Sequence, residues 1–356
     1  MKLNLVGTAI GNTGYAHHIR NLAKALDQQG HDTAIETQAP HNWPQLVDPW
    51  TAKLIQKNNR TATQILINYP PAAYLKSGEK ELLYQYCVFE GTKIPTSWRQ
   101  ALNQDHIQAV ITPSKHTKTA CERAGVHKPI HVVPHGVDTT TFHPDAKPTN
   151  PDPKTTTFLW HKGWAQGKND RSGLELFLEA YTQEFNKEDK VRALVKINPT
   201  YAQKNYAQEI KNLQLKGPHT KTIYLVTDIL TPDNLAGFYT SGDVFVASSK
   251  GDAFDLPALE AMACGLPVIY STHNGHDDYC KGYPLTIGQY IKPGDPNPLY
   301  EEAQWYSPSI PQIRKHLRES YENVEHRREL GRAACKHAQT LTWDNSAKKL
   351  IKAINA

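Results

Sequence analysis

Long hydrophobic runs are missing from this 356-residue chain. None approaches the ~18 consecutive apolar residues of a membrane-spanning helix, which excludes a helical transmembrane protein. Cysteine is scarce: Cys87, Cys121, Cys264, Cys280 and Cys335 are five scattered residues with no C-x-x-C spacing. An odd, dispersed set excludes a disulfide framework and a zinc ribbon, and fits a reducing, cytoplasmic setting. The start, MKLNLVGTAIGN, lacks the long apolar stretch and small-residue cleavage site of a secretory signal. Charge of one sign is also in short supply, with 40 basic against 35 acidic residues and a net +5. Its distribution is uneven: residues 1–150 hold 15 basic against 11 acidic groups and ten of the 17 histidines. Such an excess attracts an acidic partner over a Debye length of ~8 Å, and a plain solubility bias reads the same way.

What is present is material for two cores: 39% hydrophobic residues is a low share, but over this length it is sufficient. In the first half, short apolar runs alternate with helical patterns. LNLVGT (3–8) reads as a buried strand, followed by a glycine loop (9–14) and a helix over 15–29 with Ile19, Leu22, Ala23 and Leu26 on one face. Further strands are expected at 65–68, 84–89, 109–112 and 131–133, with Ser114 capping a helix that stops at Gly125. FHPDAKPTNPDPKTTT (142–157) carries four prolines and reads as a linker. Strands then follow at 158–160, 193–197, 222–226, 244–247 and 268–270, with helices at 174–185, 233–239 and 257–264. The chain closes in amphipathic helices over 310–320 and 324–341, with a last segment from Trp343. This alternation predicts an α/β fold of two doubly wound parallel sheets, joined by the linker and binding ligands in a cleft at their carboxyl edges.

The most informative stretch is TDILTPDNLAGFYTSGDVFVASSKGDAFDLPALEAMACGLPVIY (227–270). A strand ends near Ser248 and a helix begins near Pro257, so free amides and the positive helix end are expected to make a diphosphate site. Asp252 and Glu260 flank that turn. A carboxylate accepts two hydrogen bonds side by side, which suits the vicinal hydroxyls of a ribose or hexose. The histidines do not read as metal ligands: His17 and His18 are adjacent and diverge on a helix, and His273 and His276 lack a metal-binding helix motif.

This segment resembles the signature of the retaining GT-B glycosyltransferases of family 4, Glu-Gly-Phe-Gly-Leu-Pro-x-x-Glu-Ala-Met-Ala-x-Gly-x-Pro-Val-Ile. HVVPHGVDTTTFHP (131–144), FLWHKGWAQGKNDRSGLELFLEAY (158–181), VFEGTKIP (88–95) and LTWDNSAKKLIKAI (341–354) resemble further elements of that family in the same order. The resemblance implies a GT-B fold, two Rossmann-like domains facing a central cleft. The acceptor-side domain would span 1–143, the linker 144–157 and the donor domain 158–335, with a helix over 336–356 packing back toward the first domain. It implies retaining transfer of a sugar from a nucleotide-diphosphate sugar, such as a UDP- or GDP-sugar, with no metal and no resident cofactor. Carried over by position, Glu260 binds ribose and Asp252 the transferred sugar. Ala253, Phe254, Asp255, Leu256, Asp228 and Ile229 complete the donor surface, and the cations on the diphosphate fall among Lys162, Lys168 and Arg171. Gly11, Asn12, Gly14 and Tyr15 line the acceptor side, with Glu90 or His18 as its polar group. The candidate catalytic residues are Asp252, Glu90 and Arg171.

The chain departs from the family pattern at four places. The first Glu is Asp252, one methylene shorter; the two motif glycines are Ala253 and Asp255; the lysine before glycine is Ser172, with Arg171 adjacent; and the expected His at the end of an amino-terminal strand is absent, leaving Glu90 or His18. Asp255 either caps the following helix or touches a donor hydroxyl. It also motivates an alternative reading, a non-catalytic nucleotide-sugar-binding protein of the same fold. The acceptor class stays open: nucleic acid, an anionic membrane surface or glycolipid, a polysaccharide or a small molecule. No stable protein partner is inferred.

Overall fold

A computed structural model describes residues 1–38, 41, 47–57, 62–67, 83–165, 170–201, 205–294 and 298–356. They divide into two compact units: Met1–Gly136 with Pro298–Ala303 and Leu341–Ala356, and Val137–Asn297 with Gln304–Thr340.

The first unit contains β1 (Lys2–Gly7), α1 (Gly14–Gln28), β2 (Asp32–Glu36), α2 (Pro49–Gln56), β3 (Thr63–Ile67), β4 (Leu83–Tyr86), α3 (Thr96–Leu102), β5 (Ile107–Thr112), α4 (Lys115–Ala124) and β6 (Ile130–Val132). Its sheet runs β2-β1-β3-β4-β5-β6, all parallel. Sequence chemistry sets the helix ends. The Thr13 hydroxyl accepts from the Ala16 amide to start α1, the Ser114 hydroxyl accepts from Thr117 to start α4, and Gly125, at φ 88°, ends it in the left-handed conformation glycine tolerates best. Ile19, Leu22, Ala23 and Leu26 are all buried along α1, as their spacing predicts. The strand β2 and the helices α2 and α3 were not anticipated; DTAIE is short and half polar, so its alternation is a weak signal.

The second unit contains β7 (Thr156–Lys162), α5 (Leu174–Glu184), β8 (Val191–Ile197), α6 (Tyr206–Asn212), β9 (Ile223–Val226), α7 (Pro232–Thr240), β10 (Val244–Ala247), α8 (Leu256–Ala263), β11 (Val268–Ser271), β12 (Gly282–Leu285), β13 (Gly288–Ile291), β14 (Trp305–Pro308), α9 (Ile310–Glu322) and α10 (Val324–Ala338). Its parallel sheet runs β12-β11-β10-β7-β8-β9, and β13 and β14 form a separate antiparallel pair. Phe158, Trp160, Phe177, Tyr181, Val195 and Val246 sit at the centre of its core.

The proline-rich stretch behaves differently from a free linker, because the unit boundary falls at Gly136–Val137. Residues 144–157 belong to the second unit, where Thr149 donates its amide to Gly237 O and Asn150 to Ser241 Oγ. Arg192 reaches back to Thr157 Oγ1 and to Asn150 O at 2.8 and 2.6 Å. A composition that favours an extended chain does not forbid docking when a neighbouring helix and strand, here α7 and β8, supply the partners. The last helix, α11 (Trp343–Ile354), belongs to the first unit. There Tyr84 donates to Ile354 O and Ser346 to Pro134 O. Gly136 is required at this seam: a Cβ there would lie 2.2 Å from Trp343 N. Among the described residues no helix is long and apolar enough to cross a membrane.

Candidate active site

In a doubly wound sheet, ligands gather where strand order reverses, at the carboxyl ends of the two strands flanking the switch. In the second unit those strands are β7 and β10. Lys162 is the last residue of β7, and Ser248–Asp252 lead out of β10 toward α8. The loop entering α5 is held against the end of β10: Gly173 has φ 75°, a Cβ on it would lie 2.0 Å from Ser248 O, and Ser248 Oγ donates to Gly173 O. Lys250 likewise donates its amide to Arg171 O, and Arg171 Nη1 donates to Gly251 O at 2.8 Å. Sheet topology thereby brings residues ninety positions apart onto one loop pair.

A compact charged cluster occupies this place. Lys162 Nζ lies 2.6 Å from Ser249 Oγ, 2.7 Å from Asp252 Oδ2 and 2.6 Å from Asp255 Oδ2. Asp255 Oδ2 is also 2.7 Å from His276 Nε2, and His276 Nδ1 is 2.5 Å from Asn274 Oδ1. The Asp255 and His276 side chains are 1% and 0% exposed. Burial opposes ionisation of Asp252, but Lys162, with His276 and Arg171 behind it, outweighs burial and holds the carboxyl well below the usual range. Burial likewise disfavours the Lys162 ammonium, and the two aspartates more than offset that, so its affinity for the proton rises. Asp252, Asp255 and His276 place ligand atoms within 4.8 Å of one another, close enough to share a cation. The cation standing among the two carboxylates is the Lys162 ammonium.

Asp255 answers one sequence question. Its φ is 78°, the left-handed region where the family motif has glycine. Its carboxylate accepts from the Ala258 amide as the N-cap of α8 while meeting Lys162 and His276. The helix end is therefore not the open anion site expected from the sequence: Pro257 has no amide proton, and the Ala258 amide faces Asp255.

Glu260 lies apart from that cluster, on α8. Its Oε2 accepts from Tyr239 at 2.8 Å, and the Tyr239 hydroxyl is 2.9 Å from His161 Nδ1. Burial first, then the charge of Asp255, pushes the Glu260 carboxyl up to about 8 against the Tyr239 hydrogen bond, so it holds its proton at neutral pH without a ligand. Ala253 and Phe254 are buried, with Phe254 stacked on Tyr279 at 4.5 Å, so their side chains serve the core and only their backbone is available to a ligand. Leu256 begins α8 and is half-buried. Asp228 and the 61%-exposed Ile229 follow β9 at the rim of the sheet, where Asp228 acts on Lys196, whose ammonium burial pushes down to about 8. Lys168 lies outside the described residues.

In the first unit, Gly11, Asn12 and Tyr15 are half-buried and Gly14 is exposed at the start of α1. Arg20 donates to Ala9 O and Gly11 O, fixing the glycine loop. Glu90 accepts from the Tyr300 hydroxyl, contributed by the short return of Pro298–Ala303. His18 corrects an expectation: it is 1% exposed, its ring 4.3 Å from both Tyr86 and His135 and stacked on Trp343, so it is an interior residue and not a contact for an acceptor. The amphipathic pattern of α1 had already put position 18 beside Ile19 and Leu22. Ser249, Asn274 and His276 were missed for a different reason. His276 meets Asp255 across 21 residues, a separation no local pattern encodes.

The fold is that of a GT-B protein, and part of the chain is similar to glycosyltransferases. Residues 164–306 match the family Glycosyl transferases group 1. Among curated relatives, D-inositol 3-phosphate glycosyltransferase of Paenarthrobacter aurescens (strain TC1) is 29% identical over 122 residues, 33% of this chain and 25% of that protein. The chain thus matches about a quarter of that relative's length. Among solved structures, sucrose-phosphate synthase from Thermosynechococcus elongatus superposes with a TM-score of 0.72 at 16% identity, over 99% of this chain and 98% of the other. Anabaena HepE in complex with UDP and glucose gives 0.66 at 14% identity, over 100% and 99%.

Proposed function

We propose that this protein transfers a sugar, with retention of configuration, from a nucleotide-diphosphate sugar to an acceptor held by its first unit. The observation that carries the reading is the acidic pair beside the β7/β10 switch: Asp252, in the loop after β10 and held ionised beside Lys162, and Glu260 on the following helix α8. Asp252 accepts from a hydroxyl of the transferred sugar, and Glu260, a neutral carboxyl in the free protein, takes the ribose hydroxyls through the oxygen that Tyr239 leaves free. Arg171 faces the diphosphate, where fixed positive charge stabilises the departing phosphate as the bond to the anomeric carbon breaks. The sugar passes through an oxocarbenium-like state and is attacked from the face the nucleotide leaves, so no covalent nucleophile is assigned. Metal-independent transfer fits a site in which an ammonium already stands among the candidate ligands. Five unpaired cysteines accord with a cytoplasmic setting. An anionic acceptor suits the basic first half of the chain.

The test is a screen of UDP- and GDP-sugars for binding and slow donor hydrolysis, followed by Asp252→Ala and Glu260→Ala with the best donor. Each variant is expected to lose about tenfold or more in kcat/KM, the worth of the hydrogen bonds its carboxyl group makes to the donor. Unchanged turnover in both would sink the assignment, and donor binding with neither hydrolysis nor transfer would leave only a binding protein.

A further inference from the structure

Lys162 is one of three residues, with Lys168 and Arg171, among which the family resemblance places the cations on the donor diphosphate. An ammonium has three protons and no more. Here three acceptors surround it at 2.6–2.7 Å: Ser249 Oγ, Asp252 Oδ2 and Asp255 Oδ2. No donor direction is left for a phosphate oxygen unless one of these partners is surrendered, and two of them are carboxylates from a largely buried site. Asp255, in turn, is locked. Its side chain is 1% exposed, its second partner His276 is fully buried, and the imidazole is tied to Asn274. Both ring nitrogens of His276 lie within hydrogen-bond distance of an oxygen, one on Asp255 and one on Asn274. A residue with a Cβ stands at φ 78°, where glycine is the relaxed choice, and its carboxylate makes each of these contacts.

We propose that Lys162, held by the Asp255–His276 pair, is a positioning residue for Asp252 and not a phosphate ligand. It fixes the carboxylate that receives the transferred sugar, leaving the diphosphate to Arg171. Asp252 Oδ2 is anchored by Lys162, and Oδ1 accepts the Phe254 amide at 3.2 Å. Both oxygens keep a lone pair in a fixed direction for a sugar hydroxyl. The inference rests on the donor reading above and adds a division of labour to it: the Lys162 cluster recognises the sugar, not the nucleotide.

The experiment separates the two halves of the donor. UDP and GDP are titrated against the full-length protein by calorimetry, and the nucleotide bound more tightly is compared with its glucose, galactose and mannose conjugates. Asp255→Gly suits the left-handed backbone and removes one partner of Lys162; Lys162→Met removes the ammonium; Lys162→Arg keeps a cation for both carboxylates. The unfolding midpoint of each variant is followed in parallel. Asp255→Gly and Lys162→Met are expected to bind the bare nucleotide within about twofold of wild type, yet lose about tenfold or more for the preferred conjugate. Lys162→Arg should recover most of that loss. Equal loss for bare nucleotide and conjugate overturns the inference, whether it comes with an unchanged midpoint, as for a phosphate ligand, or with a lowered one, as for a purely structural ion pair. If the wild-type chain binds neither nucleotide, the donor reading itself falls and takes this inference with it.

Discussion

Titratable side chains are buried in opposite ways at two places in this protein. At the β7/β10 switch of the second unit, Lys162, Asp252, Asp255 and His276 are packed so that the Lys162 ammonium lies between two carboxylates and Asp255 meets the His276 ring. Inside the first unit, His18 and His135 lie ring against ring beneath Trp343, and His18 Nδ1 has no hydrogen-bond partner. Burial, then the neighbouring His135, holds His18 well below its ordinary range, so it is a neutral aromatic filler. A charge taken out of water must be paired, while a group that can shed its charge needs no partner. Only the first arrangement keeps charge available to a ligand, and the proposed donor chemistry sits there. The histidine-rich character of the first half of the chain accordingly serves packing at least in part.

The largest effect that would break this contrast is on stability in the second unit. Lys162→Met leaves Asp252 without its cation and Asp255 with His276 alone, and should cost about 3–5 kcal/mol in urea unfolding; a loss below about 1 kcal/mol would mean that the cluster is not held by its charges. The matching change in the first unit, His18→Leu, replaces a neutral ring by an apolar side chain of similar volume. At pH 7.5 it should cost less than about 1.5 kcal/mol. It should also shift acid unfolding to lower pH, because a histidine with a depressed folded pKa contributes stability that is lost as pH falls below its unfolded value of about 6.5. The smallest effect is a slope. Glu260 has a folded value raised from 4.5 to about 8, so its contribution is present below 4.5 and is lost as pH rises to about 8. Glu260→Gln should flatten that decline in a series of melts, and an unaltered slope would show that Glu260 is already ionised in the free protein.

Much of the fold was legible because helix ends and core strands are written in neighbouring residues. Ser114 and Gly125 bracket α4, the strand expected at 244–247 is β10, and the helix expected at 174–185 is α5 within one residue. The elements that escaped, such as β2 and the β13–β14 pair, are short and weakly patterned; their stability comes from what they pair with. The docked stretch 144–157 was misread for a related reason, since proline content reports local stiffness and not the neighbour that receives it.

The site divides along the same line. Asp252, Glu260 and the turn between them follow from one continuous segment, whose order of residues is enough to place two carboxylates around a helix start. What they do there was decided by long-range packing. Sheet order put Lys162 from β7 against the loop after β10, the turn at Asn274–His276 completed the coordination of Asp255, and Asp255 closed the helix end that appeared open in the sequence. Covalent order determines which charges exist and which lie within a few residues of one another. Only burial and the contacts made across the sheet decide which of them remain ionised, which are already paired, and which are left to meet a ligand.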